Sequence, residues 1–336
     1  MKKLSIIIPI YNLENYIGDT LKSCISQNID LSEYEIICIN DGSQDQSEEI
    51  VRRYQQQYSN IILYTQENSG VSSARNKGIE LAKGRYLWFV DGDDTIAYNC
   101  LSSMLKVIEE NDVDIFGFHL QSVSSRKISS AQVEEYEFSR NPNEIMSFMT
   151  NFGGCGVCNE IFKTKIVKDN EIFFHTNIKY SEDVLFSYRV LQKCSSCAKT
   201  HTTLYYYYQR EGSAMHSSNH LKHVESMYLL AGEYLKIADE EEKWRDMSLS
   251  KKDSAIKALL FGLVQNADVK LAKEWIVKLR SEKFYPFPFL WESLRNNATR
   301  KQALINYLSF LFPCKWYFMT CVRLVALKNK FRRKSK

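Results

Sequence analysis

No glycine-rich nucleotide loop follows the first apolar segment of this 336-residue chain. After "LSIIIPI" the sequence continues as "YNLEN", with neither a G-x-G-x-x-G nor a phosphate loop carrying a basic residue. That absence excludes a dehydrogenase and argues against a nucleotidyltransferase. A secretory leader is not expected: Lys2 and Lys3 precede an apolar run, but the run is short, contains Pro9 and lacks a small-residue cleavage site. Internal repeats and low-complexity linkers are missing as well. Nine cysteines, an odd number in a long chain, make no dense disulfide framework. The expected compartment is therefore cytoplasmic, where the sequon Asn297-Ala-Thr299 has no role. Acidic residues disappear altogether after Glu292, while eleven Lys/Arg remain; the first 292 residues carry 33 basic against 40 acidic groups. The tail, not the body, is the part expected to meet something anionic.

What is present alternates regularly over the first 120 residues. Short β-rich runs are expected as strands at 4–10, 34–40, 60–65, 85–90 and in "VDIFGFH". Between them, amphipathic patterns predict helices at 13–27, from a Ser43/Gln46 capping box to about Tyr58, at 71–83 and at 98–111. This order implies an α/β fold with a doubly wound, mostly parallel sheet flanked by helices, in which ligands bind outside the carboxyl ends of the strands. Past about residue 220 the pattern is helical, giving a catalytic domain at 1–218 and a helical C-terminal region at 219–336 with a basic, aromatic-rich tail.

The polar residues at those strand ends carry the chemistry. Pro9-Ile10-Tyr11-Asn12 ends the first strand and Asn40-Asp41-Gly42-Ser43 the second; Asn68-Ser69-Gly70 leads into a helix bearing Arg75 and Asn76. The fourth ends in Asp91-Gly92-Asp93-Asp94. Turn preference explains any one of these segments. Three carboxylates crowded at the end of a buried run are costly unless a cation joins them, and hard oxygen ligands suit Mg²⁺ or Mn²⁺ shared with substrate phosphates. Further on, Ser181 reads as an N-cap that places Glu182 and Asp183 in a first helical turn. The pairs Cys155/Cys158 and Cys194/Cys197 mimic a zinc site, but the 35 residues between them exceed the usual spacing, so buried or incidental thiols are expected.

The runs "SIIIPIYNLENYI", "INDGSQDQS" and "NSGVSSARNKGIELAKGRYLWFVDGDD" closely resemble, in order and spacing, the family 2 glycosyltransferases of the GT-A fold. The resemblance covers roughly residues 4 to 120. It implies inverting transfer of a sugar from a nucleotide-diphosphate donor, usually a UDP-sugar, with a divalent metal. It implies Pro9, Tyr11 and Asn12 around the nucleoside, Asp41 at the base and Arg75 near the nucleotide. It makes Asp91 and Asp93 the metal-associated DxD pair, either Asp93 or Asp94 supplying the closest oxygen. It also implies Asp183 as the general base with Glu182 as its supporting neighbour, and Arg210 and His216 on a loop that closes over the diphosphate or acceptor. Cys158 stands where many of these transferases carry tryptophan. The expected acceptor is a bacterial surface polysaccharide or lipid-linked glycan; a catalytically silent nucleotide-sugar-binding module is the reading from another class. No nucleic acid partner is expected.

The tail from Ala303 to Leu327 is apolar and aromatic, but Pro313, Lys315 and Arg323 interrupt any clean run of about 20 residues. As a helix, the segment after Pro313 lines up Lys315, Arg323, Lys330 and Lys334 on one side, the pattern of an interfacial helix on an anionic membrane. A C-terminal helix packed on the body is the competing expectation.

Overall fold

The computed structural model describes residues 2–125, 128–141, 145, 149, 156–209, 220–266, 268–282 and 284, with 318, 319, 321–323 and 325 in the tail. Two compact units divide the chain: Met1–Thr176 with Glu182–His216, and Asn177–Ser181 with Ser217–Lys336.

In the first unit, the expected strands form at β1 (Leu4–Ile10), β2 (Tyr34–Asn40), β3 (Ile61–Thr65) and β4 (Tyr86–Phe89). The intervening helices are α1 (Ile17–Ile25), α2 (Ser47–Gln57) and α3 (Val71–Leu81). Every residue of β1, β2 and β4 is buried, as continuous apolar runs covered on both faces should be. These four strands pair in parallel in the order β3-β2-β1-β4. Beyond them come β5 (Thr95–Ile96), α4 (Leu101–Glu110), β6 (Ile115–Val123), β7 (Glu137–Ser139), β8 (Glu160–Lys163), α5 (Thr164–Asp169), α6 (Glu182–Lys193) and β9 (Cys197–Tyr208).

The sheet continues from β4 through β8, β6, β9 and β5, with β7 beside β9. Here the pattern changes. β8 runs antiparallel to both β4 and β6, and β5 antiparallel to β9, while β6 and β9 are parallel. The insertion of β8 next to β4 fixes where α6 lies, because Phe89 of β4, Phe162 of β8, Phe174 and Phe186 of α6 form one aromatic cluster. Phe174 and Phe186 stack at 4.1 Å, and Phe89 meets both edge-on.

One expected helix cap fails, and the other has an unusual backbone. α2 begins at Ser47, not after Ser43; the Ser43 hydroxyl accepts from Asn12 N instead, and Asp45 accepts from Ser47 N. Ser181 has φ 63°, in the left-handed region rather than the extended geometry of a usual N-cap.

The second unit is helical: α7 (His220–Glu240), α8 (Arg245–Asn266) and α9 (Val269–Ser281), the last capped by Asp268, whose side chain accepts from Lys270 N and Leu271 N. Residues 177–181 join it through Lys179 N, which donates to Ser226 Oγ at 3.0 Å. Among the described residues no helix is long and apolar enough to cross a membrane. Of the tail's described residues, Phe318, Met319 and Val322 are buried and Arg323 is exposed.

Candidate active site

The carboxyl ends of β1, β2 and β4 lie side by side, and the turns that follow them build the site. Asn12 takes a left-handed φ of 53° at the end of β1; its side-chain oxygen accepts from Gln44 N at 2.8 Å. The turn after β1 is thereby tied to the turn after β2. Tyr11, beside it, is half exposed, at 49%. Pro9 is buried within β1, and its carbonyl would stand 3.0 Å from any Cβ added at Gly92. Only glycine lets the turn after β4 approach β1 so closely. Asp41 is buried, with Oδ1 accepting from Ser69 N and Gln66 Nε2 and Oδ2 from Gly70 N, each at 2.8 Å. It fixes the loop that opens α3.

That loop delivers Arg75. Its guanidinium is only 6% exposed and is held from two directions: Nη2 donates to Asp91 Oδ1 at 2.8 Å, and Nη1 donates to Glu182 Oε1 at 3.0 Å. The Phe174 ring covers its flat face at 5.3 Å. Burial works against the charged guanidinium, but Asp91, Cys158 and Glu182 outweigh it, so its pKa is raised and the charge is locked in. The structure thus brings Arg75, Asp91 and Glu182 together, although Arg75 and Glu182 are 107 residues apart in the chain. Asp183 follows on α6. Its carboxylate accepts from Val184 N at 2.8 Å and would lie 3.9 Å from a Cβ at Gly156. Burial raises the pKa of both acids, opposed in each case by Arg75. Glu182 is buried, whereas Asp183 remains half-buried and reachable.

The three aspartates after β4 separate. Asp91 stays partly exposed and also accepts from the Cys158 thiol at 3.5 Å. Asp93 is half-buried. Asp94 turns inward: its Oδ2 accepts from the Tyr205 hydroxyl at 2.6 Å and its Oδ1 from Tyr208 N at 2.8 Å. Burial, reinforced by Asp91 and Asp93, pushes Asp94 up to about 8.

Sequence reasoning missed Tyr205, which accepts from Asp91 N while donating to Asp94. The run of four tyrosines was its signal, and its first two members, Tyr205 and Tyr206, are buried. Glu160 was missed too. It is buried in β8, accepts from the Ser187 hydroxyl at 2.5 Å, and is pushed up to about 8 by burial, with Asp183 adding to the shift. Arg210 and His216 lie outside the described residues, as does Cys155. Cys194 and Cys197 are free, buried thiols with raised pKa values, and among the described residues no group of three or more His, Cys, Asp or Glu could hold a metal by itself.

Residues 5–170 match the family model described as Glycosyl transferase family 2. A poly(ribitol-phosphate) beta-glucosyltransferase of Bacillus spizizenii is 32% identical over 216 residues, 63% of this chain and 33% of its own. The poly(ribitol-phosphate) beta-N-acetylglucosaminyltransferase TarS of Staphylococcus aureus is 30% identical over 254 residues, 74% of this chain and 43% of its own. This chain thus spans less than half the length of either. A crystal structure of S. aureus TarS 1–349 with UDP-GlcNAc superposes with a TM-score of 0.67 at 23% identity, over 99% of this chain and 92% of that one, a likeness of fold.

Glu160 supplies a test of the electrostatics. Its pKa rises from an ordinary 4.5 to about 8 on folding, so the folded state holds the proton more tightly. The stabilisation is complete below the unfolded value and is lost as pH rises through the folded one. Glu160→Gln cannot titrate. The stability of wild type relative to this variant should fall between pH 4.5 and 8 and level off above, as read from denaturant midpoints; a difference independent of pH would show that Glu160 is ionised in the fold.

Proposed function

The chain belongs to glycosyl transferase family 2, with residues 5–170 as that family's domain on a GT-A-type sheet, and from that premise we propose that it is an inverting glycosyltransferase. The donor is a nucleotide-diphosphate sugar of the UDP class, and the acceptor a hydroxyl of a bacterial surface polymer or lipid-linked glycan. The names of the two curated relatives favour glucosyl or N-acetylglucosaminyl transfer to a polyol-phosphate chain. The observation that carries the reading is the Arg75 bridge. It ties the end of β4 to the first turn of α6 and leaves Asp183 half-buried, with a raised pKa, within electrostatic reach of Asp91.

Inversion needs one base on the face opposite the leaving group and no covalent intermediate. Asp183 fits that role. It takes the proton of the acceptor hydroxyl as that oxygen bonds to the anomeric carbon, while the bond from that carbon to the diphosphate breaks. Its raised pKa brings it closer to working pH, which favours proton acceptance. Glu182, already committed to Arg75, holds the turn in place. The exposed Tyr11 offers a ring face to the nucleoside, beside Pro9 and Asn12, with Asp41 bracing the same edge.

The acids present fit a divalent ion that takes most of its ligands from water and diphosphate, because Asp91 and Asp93 make no cage alone. Asp93, with Asp91, would hold Mg²⁺ or Mn²⁺, which when bound supplies charge neutralisation for the departing diphosphate. We extend the proposal to location: the basic end of the tail draws the enzyme to an anionic membrane surface, with Phe318, Met319 and Val322 turned inward.

Chelation by EDTA should abolish UDP release from the donor and Mn²⁺ or Mg²⁺ should restore it, with Asp93→Ala weakening UDP–metal binding; undiminished turnover in EDTA would sink the metal assignment. Asp183→Asn should keep UDP affinity within a few-fold while transfer falls by roughly 10² or more, the scale of a lost general base. Collapse of UDP binding instead would make Asp183 structural. In vesicle flotation, full-length protein should rise with anionic but not neutral lipid and be released by high salt. Equal behaviour with both lipids would leave only a packed tail.

A further inference from the structure

Asp183 is a single carboxylate at the start of a helix, and an acceptor hydroxyl must meet it within a few tenths of an ångström. What fixes the face of α6 that carries it? Glu182 and Phe186, four residues apart, anchor one face through Arg75 and the Phe174 ring. Asp183 lies on a neighbouring face, with Ser187 one turn further along it. Ser187 is fully buried, and its hydroxyl donates to Glu160 Oε2 at 2.5 Å.

Glu160 stands at the start of β8, in register with Gly117 of β6, so its backbone is part of the sheet. It also follows directly on the tight turn at residues 156–159, which Asn159 N closes by donating to Gly156 O at 3.1 Å. That turn packs toward the base: a Cβ at Gly156 would lie 3.3 Å from Asn159 Oδ1 and 3.9 Å from Asp183 Oδ2. One side chain thus pins both the helix face bearing Asp183 and the turn facing its carboxylate.

We infer that Glu160 is a positioning residue for Asp183, acting through Ser187 one helical turn beyond it. The inference rests on the assignment of Asp183 as the base. Glu160 does not touch substrate; it holds the α6 face against the sheet. Its raised pKa fits this role, because a neutral carboxyl clamps the helix without adding to the negative charge already beside the base. The clamp needs an acceptor oxygen, not a charge, so glutamine should serve as well as glutamate.

The experiment measures UDP release from UDP-glucose and UDP-N-acetylglucosamine, with water as acceptor, in full-length Glu160→Gln, Glu160→Leu, Ser187→Ala, the Leu/Ala double variant and Asp183→Asn. Calorimetric UDP binding to each confirms an intact nucleotide site. Glu160→Leu and Ser187→Ala should each lower kcat by about 10- to 100-fold, the cost of misplacing a reacting group. KM for the donor should stay within about two-fold of wild type, and the double variant should be no worse than the poorer single. Glu160→Gln should keep wild-type kcat. Wild-type kcat in Ser187→Ala and Glu160→Leu beside a dead Asp183→Asn would overturn this inference alone. Full turnover in Asp183→Asn would overturn the parent assignment and this one with it.

Discussion

A buried guanidinium between two acids is the constraint on which the rest of this site depends. Taking Arg75 out of water costs several kcal/mol unless its charge is matched, and the return comes only with good geometry. Asp91 and Glu182 provide that geometry at 2.8 and 3.0 Å, and the Phe174 ring covers the face they leave. The need runs both ways. Without the cation, Asp91, Glu182 and Asp183 would be like charges gathered around one point, and β4 and α6 could not approach.

The ion bridge and the phenylalanine cluster divide the work. Each fully buried aromatic contributes about 2–3 kcal/mol of transfer free energy, so Phe89, Phe162, Phe174 and Phe186 provide the net attraction that brings α6 onto the sheet. Apolar packing alone leaves small slides along a helix inexpensive, because similar contacts re-form. A bidirectional hydrogen-bonded charge pair does not tolerate such slides. Stability thus comes mainly from the rings and register from Arg75. Phe174 belongs to both: one side stacks on Phe186 and the other receives the guanidinium.

The parallel half of the sheet was legible because β1, β2 and β4 are continuous apolar runs separated by helical periodicity, and their end residues could be read off in order. Legibility stopped where pairing became non-local. Nothing within "EIFK" announces a strand that inserts antiparallel between β4 and β6, since its register partners, from Tyr86–Trp88 to Ile115–Gly117, are all distant in sequence. The same limit hid the Glu160–Ser187 bond, which joins two elements with no shared pattern. Ser43 failed as a cap for a related reason. Its hydroxyl had a tertiary claim from Asn12 that outweighed the local signature. Asp91, Asp93 and Asp94 were read as one group because adjacent carboxylates look alike in a string; only the inward tyrosines of β9 separate them.

That separation explains how so many acids share one small volume. Environment assigns each a different state. Asp94 and Glu160, sealed behind Tyr205 and Ser187, are pushed up to about 8 and at neutral pH bring little charge. Asp91 and Glu182 share a single guanidinium. Asp183 alone combines a raised pKa, a position beside that cation and remaining access to solvent. Groups whose surroundings push their protonation apart are how one fold assigns acid, base and anchor among chemically identical side chains.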